Sequence, residues 1–245
     1  MKSSESTLRV GILRTDQVLP QFQSDFGDYP DMFRRLLETA AEACLPTRSL
    51  SLHDYDARQR QFPAADACSG YVITGSRHGV YDDEPWIEPL VAFLREVIAA
   101  ERKIVGICFG HQLVAHFFGG EARPADAGWG VGVQESRLVA QQPWMIPHQD
   151  RLKLLSSHKD QVSVLPEGAR LIATSPFCPI AGFVIDDQIM TLQGHPEFVK
   201  GYSQSLMEMR REILGESTFQ AGMESLLGSV DGDLVGRWMI NFLSA

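Results

Sequence analysis

Between residues 9 and 118, short apolar runs alternate with longer stretches of helical periodicity, and this alternation limits the fold more than any other feature of the 245-residue chain. Arg9-Val10-Gly11-Ile12-Leu13 reads as a buried strand. Phe33, Leu36, Leu37, Ala40, Ala41 and Cys44 then recur at helical spacing, with Asp31 near the start and Pro46 beyond the end. Strands follow at 47–52 and 71–74, a helix carries Ile87, Leu90, Val91, Leu94, Val97 and Ile98 on one face, and 103–107 is another buried strand. That strand runs into Cys108 and the helical pattern Leu113, Val114, Phe117 and Phe118, closed by Gly119-Gly120. Buried strands separated by helices of this length predict a mostly parallel central sheet with helices on both faces, an α/β fold.

The middle of the chain reads differently. Short β-type runs at 131–139, 152–155, 171–174, 182–185 and 189–192 are separated by turn residues, and several of them are expected to be antiparallel strands added to the same sheet. From Val199 onward the pattern is helical, at 202–214, 219–227 and 234–243. The expected organisation is a disordered terminus at 1–7, one α/β domain at 8–200, and a helical extension at 201–245 packed on that domain.

Composition narrows the class of partner. With 22 basic against 31 acidic residues and a net charge of −9, the chain lacks the footprint of a nucleic-acid or anionic-membrane binder. No apolar run approaches the ~20 residues that span a bilayer, and the polar start lacks the core of a signal peptide. A cytoplasmic location is the expectation. Four scattered cysteines without a CxxC pair support neither a disulfide framework nor a zinc site. Cys44, Cys68 and Cys178 read as packing residues.

Cys108 stands apart from them. It sits where a buried strand turns into a helix, with Gly106 and Gly110 two residues to either side. This is the pattern of a nucleophile elbow, in which side chains at the flanking positions would collide across the turn. The helix N-terminus favours a thiolate, and the N–H of Phe109 is aimed where an oxyanion would form. A base is offered by His195 in Gln-Gly-His-Pro-Glu-Phe, 193–198, just after a strand. Glu197 is placed to orient the imidazole, which completes a nucleophile, base and orienter.

These motifs resemble those of the class I glutamine amidotransferases, the family built around a Cys-His-Glu triad on a flavodoxin-like fold. The likeness rests on Gly-Ile-Cys-Phe-Gly-His-Gln at 106–112, Gly-His-Pro-Glu-Phe at 194–198, Thr-Gly-Ser at 74–76 and Ser-His-Lys-Asp-Gln-Val at 157–162, and spans about residues 8–200. The resemblance implies hydrolysis of the γ-carboxamide of glutamine through a γ-glutamyl thioester, with release of ammonia. Cys108 would be the nucleophile, His195 the general base and acid, and Glu197 its partner. Phe109 and the Gly75-Ser76 turn would supply oxyanion donors, and Gln112, His158 and Arg77 would bind substrate. No metal or other cofactor is implied.

Departures from the family pattern bear on the substrate. Many members carry Gly-Gly-Pro at the oxyanion turn; here it is Gly75-Ser76-Arg77. The acidic loop that follows, Tyr81 to Trp86, is closer to stand-alone members, including γ-glutamyl peptidases, than to synthase-fused domains. No phosphate-cradling loop occurs in the chain, and the 45 residues after position 200 are too few for a synthase. The alternatives are therefore a glutaminase, acting alone or with a separate synthase subunit, and a γ-glutamyl peptidase or hydrolase acting on γ-glutamyl amides. A non-catalytic member of the cysteine-elbow superfamily is disfavoured by the complete His-Pro-Glu motif. A cysteine-type α/β-hydrolase is disfavoured because its acid normally precedes the histidine.

Overall fold

The computed structural model describes residues 7–245. Its elements in chain order begin with β1 (Leu8–Arg14), α1 (Pro20–Phe26), α2 (Tyr29–Cys44), β2 (Leu50–Asp56), β3 (Gly70–Ile73), α3 (Ile87–Ala99), β4 (Lys103–Ile107) and α4 (Phe109–Phe117). They continue with β5 (Glu121–Pro124), β6 (Gly130–Leu138), β7 (Arg151–His158), β8 (Asp160–Val164), β9 (Ala169–Thr174), β10 (Gly182–Ile185) and β11 (Ile189–Leu192). Four helices close the chain: α5 (Lys200–Met209), α6 (Arg211–Leu214), α7 (Glu216–Ser225) and α8 (Gly232–Ser244). Residues 1–6, which carry most of the expected disordered terminus, lie outside the described residues.

Nine strands form one sheet in the order β2-β1-β3-β4-β11-β10-β9-β6-β7. The first five are mutually parallel and the rest are antiparallel additions. Two features of the pairing go beyond the sequence reading. The run at 189–192 joins the parallel half, pairing with β4 from Ile189↔Ile104 to Leu192↔Ile107. In addition, β5 and β8, which the sequence reading does not identify as strands, pair with each other outside the main sheet. The second strand begins at Leu50 and ends at Asp56, later than the expected 47–52. Helix α1 has no buried residue, so no apolar stripe marks it in the sequence.

Successive residues of the parallel strands face opposite layers, as the two-residue period of a strand requires. Val10, Ile12, Val72 and Val105 pack with Phe33 and Leu37 of α2 and with Trp238 and Phe242 of α8. Leu13, Tyr71, Ile73 and Ile104 pack with Leu90 and Leu94 of α3 and with Phe109 and Leu113 of α4. Helix α8 lies against α2, and Trp238 is fully buried there. Asp28 caps α2, accepting from the N–H of Tyr29, while Asp31 accepts from the N–H of Asp28, which satisfies donors that the helix start leaves open. No helix among the described residues is long and apolar enough to cross a membrane.

The carboxyl ends of the parallel strands all open on one edge of the sheet. Asp16 follows β1, Thr74-Gly75-Ser76 follows β3, Cys108 follows β4 and His195 follows β11. In open α/β sheets this edge is where ligands bind.

Candidate active site

Cys108 is the residue between β4 and α4, and its backbone has φ 53° and ψ −99°. A left-handed φ is strained for a residue with a Cβ, and such strain persists only where the surroundings impose it. They do so here. The Cys108 N–H donates to the carbonyl of Leu192 at 2.9 Å, and its own carbonyl accepts from the N–H of Gln112 at 3.0 Å. A Cβ on Gly106 would lie 2.6 Å from the Gly110 carbonyl oxygen, so that glycine is required across the turn. A Cβ on Gly110 would meet β3 instead, 2.7 Å from Cβ of Ile73. Two strands and the helix therefore clamp the turn.

His195 leaves β11 at the same edge. Its backbone N–H donates to the carbonyl of Leu155 at 2.8 Å, tying it to β7. Its Nδ1 donates to Oε1 of Glu197 at 2.8 Å, which leaves Nε2 as the ring nitrogen available to the neighbouring Cys108. The imidazole lies flat on Phe198, with ring centroids 3.8 Å apart and an interplanar angle of 11°. Burial opposes protonation of His195, but the charges of Glu197 and Cys108 outweigh it and push its pKa up to about 10. Both neighbours thus favour the protonated imidazole. The second oxygen of Glu197, Oε2, is buried and has no hydrogen-bond partner among the described residues.

Gly75 comes between these groups. A Cβ there would sit 2.8 Å from Cε1 of His195 and 3.6 Å from Cβ of Cys108. Beside it, the Ser76 hydroxyl donates to the carbonyl of Thr15 and accepts from the N–H of His78, so the turn accommodates a side chain at this position. The Phe109 ring is turned into the core against Trp86, and its N–H belongs to the first turn of α4, where a helix leaves donors unpaired.

One cavity of about 410 Å³ collects most of the residues singled out in the sequence: Ser76, Arg77, Cys108, Gln112, His158 and His195. Glu197 stands behind His195 rather than in the cavity wall. Arg77 reaches its place through Asp16, whose Oδ2 accepts from its Nε at 2.7 Å and from its backbone N–H at 2.9 Å. His158 is buried at the end of β7 and its Nδ1 donates to the carbonyl of Asp160 at 3.1 Å. Burial, with the neighbouring charge of His195, lowers its pKa to about 4, so it is a neutral group of the wall. The acidic loop is anchored across the rim, because the Tyr81 hydroxyl donates to Asp160 at 2.7 Å.

Several groups at the site carry no sequence signal. Asp16, Trp129, Tyr202 and Arg210 also line the cavity. Arg210 lies over the Trp129 ring at 5.3 Å and donates to the Ser157 hydroxyl at 2.7 Å. Gln193 points its Nε2 at Sγ of Cys108 from 3.6 Å. Among the described residues no group of three or more His, Cys, Asp or Glu side chains could hold a metal ion.

Comparison with known proteins shows the family. The sequence profile of glutamine amidotransferase class-I matches residues 28–211. A glutamine amidotransferase-like protein of Schizosaccharomyces pombe is 27% identical over 246 residues, 96% of this chain and 98% of the relative. Gamma-glutamyl peptidase 2 of Arabidopsis thaliana is 34% identical over 134 residues, 54% of each chain. The solved structure of a glutamine amidotransferase from Thermotoga maritima shares the fold with a TM-score of 0.74 at 20% identity, over 97% of this chain and 99% of that one. With the profile matched across most of its length, the chain belongs to the class I glutamine amidotransferase family.

Proposed function

We propose that the protein hydrolyses the γ-amide bond of glutamine through a γ-glutamyl thioester on Cys108. The observation that carries the reading is the continuous line of contacts from Glu197 through His195 to Cys108 at the wall of one cavity. The Cys108 thiolate attacks the carbonyl carbon of the γ-carboxamide, forming a C–S bond and an oxyanion. The N–H groups of Phe109 and of the Gly75-Ser76 turn are the donors for that oxyanion. The imidazolium of His195 gives its proton to the amide nitrogen, the C–N bond breaks and ammonia leaves. His195, now neutral, takes a proton from water, and the resulting hydroxide attacks the thioester. Glutamate departs, the thiolate is restored, and His195 keeps the proton that it took. Glu197 supports the charged imidazolium at the start of the first half-reaction and at the end of the second. Gln112, His158 and Arg77 are the candidate contacts for the amino-acid end of the substrate. A separate synthase subunit is the candidate consumer of the ammonia.

A second reading keeps the acyl group and changes the leaving amine. At about 410 Å³ the cavity falls within the ~300–1,000 Å³ of sites that take drug-sized ligands. The similarity to a gamma-glutamyl peptidase points the same way. In that reading the substrate is a γ-glutamyl peptide and the imidazolium protonates a peptide amine.

The test is product release by the purified protein. Glutamine is expected to yield glutamate and ammonia. Faster release of amine from γ-glutamyl dipeptides than of ammonia from glutamine would favour the second reading. Absence of turnover on both substrates would overturn the hydrolase assignment.

A further inference from the structure

Two carboxamides stand in series between a backbone carbonyl and the sulfur of Cys108. Gln112, on α4, donates from Nε2 to the carbonyl of Asp160 at 2.8 Å and to Oε1 of Gln193 at 3.1 Å. Gln193 in turn presents its Nε2 to Sγ of Cys108 at 3.6 Å. Both glutamines are buried, 4% and 2% exposed.

The chemistry of the partners dictates which end of each amide faces which neighbour. A peptide carbonyl only accepts, so the Gln112 atom that faces Asp160 is nitrogen. The second proton on that nitrogen needs an acceptor, so the Gln193 atom that faces it is oxygen. The NH2 of Gln193 is thereby turned to the sulfur. Flipping Gln112 would set oxygen against oxygen in a buried place, at the cost of an unmade hydrogen bond on each side. The Asp160 carbonyl, two amides away, thus determines that the nucleophile faces a donor.

We infer that Gln193 is a catalytic residue that stabilises the Cys108 thiolate through an N–H···S bond, and that Gln112 is a positioning residue that fixes the orientation of Gln193. A hydrogen bond donated to the charged form of a group favours that form. The donor serves twice, stabilising the attacking thiolate and then the thiolate expelled when water cleaves the thioester. The strand exit explains the pairing, because Gln193 leaves β11 two residues before His195 and brings both groups to the same sulfur. For Gln112 this places the NH2 inside the protein, whereas the motif alone implied a substrate contact. The inference rests on Cys108 being the nucleophile.

The experiment measures the pH dependence of Cys108 alkylation by iodoacetamide, read on the Cys108 peptide by mass spectrometry, in the wild type, Gln193→Met, Gln112→Met and the double variant. It also measures kcat and KM with glutamine or a γ-glutamyl dipeptide, whichever the wild type turns over. Gln193→Met is expected to raise the alkylation midpoint by about one pH unit, equivalent to about tenfold less thiolate below it. Its kcat should fall by roughly tenfold or more while KM stays within about twofold. Gln112→Met should shift the midpoint the same way by less, and the double variant should shift no further than Gln193→Met alone. An unmoved midpoint in Gln193→Met, or additive shifts in the double variant, would overturn the inference. If Gln193→Met does not fold, Gln193→Glu, of nearly the same shape, replaces it. A carboxylate beside the sulfur must raise the midpoint further, and an unchanged midpoint would again overturn the inference. Turnover that survives Cys108→Ala would remove the hydrolase reading while leaving the alkylation result intact. An unmoved midpoint in an enzyme that needs Cys108 would remove only the role of Gln193.

Discussion

At Gly75 the missing side chain is itself a functional feature. A methyl there would press on Cε1 of His195 from 2.8 Å, and the ring cannot retreat, because Phe198 stacks on it at 3.8 Å and Glu197 holds its Nδ1. Gly75→Ala is therefore expected to lower kcat by roughly 10²-fold, the cost of misplacing a reacting group by about an ångström, with little change in melting temperature. Steady-state kinetics beside a thermal melt checks this; turnover within twofold of wild type would show that the imidazole has room to move. Residues of this kind divide sharply in how legible they are. Cys108 announces itself through Gly106 and Gly110, and His195 through the Pro-Glu that follows it. Gln193 and Phe198 flank that histidine in the same motif, yet the residue types alone carry no mark of the contacts they make. Arg77 was legible as a charge but not as the partner of Asp16, since 61 residues separate them in the chain.

Among the elements, the β4–α4 junction bears the most constraint. Gly106 faces the carbonyl of Gly110 so closely that a Cβ would lie 2.6 Å from it, and a backbone oxygen held in a helix has nowhere to go. Gly106→Ala is expected to destabilise the fold by about 1–3 kcal/mol, the usual range for forcing an extra methyl into a packed core, and to lower activity beyond the folded fraction lost. Urea unfolding followed by kinetics on the folded protein checks both. A stability loss below about 0.5 kcal/mol would contradict the close packing of this turn. The same junction explains why the parallel half of the sheet could be read so fully: buried strands followed by amphipathic helices leave long, regular signals. The pairing of β5 with β8 could not be read, because two four- or five-residue strands 35 or more residues apart carry no mark of which sheet they join. Helix α1 escaped because none of its residues is fully buried and only Phe22 and Phe26 pack on the core, too few for a stripe to detect.

For the molecule as a whole, three buried histidines couple stability to pH in opposite directions. Burial lowers the pKa of His158 to about 4 and of His111 to about 3, so both stay neutral in the fold. Their unfolded pKa is near 6.5, so as pH falls from 6.5 towards 4 the unfolded chain takes up protons that the native chain refuses, and stability is lost. His195 works the other way. Its folded pKa of about 10 lies above the unfolded 6.5, so its stabilisation is complete below 6.5 and fades as pH rises through about 10. The urea midpoint should accordingly be highest near pH 6.5–7 and fall on both sides. His158→Gln should flatten the acid side, and a midpoint that rises steadily from pH 5 to 9 would contradict this assignment. At the same scale, the sheet gathers Asp16, Gly75, Cys108 and His195 at one edge from four separate strand ends, and the account stands on what that convergence does. Its most direct test compares hydrolysis of a γ-glutamyl amide by the wild type and by Cys108→Ala under identical conditions. The account predicts a loss of at least ~10³-fold in kcat/KM, as for removal of the nucleophile from a triad. Activity retained within tenfold would contradict it.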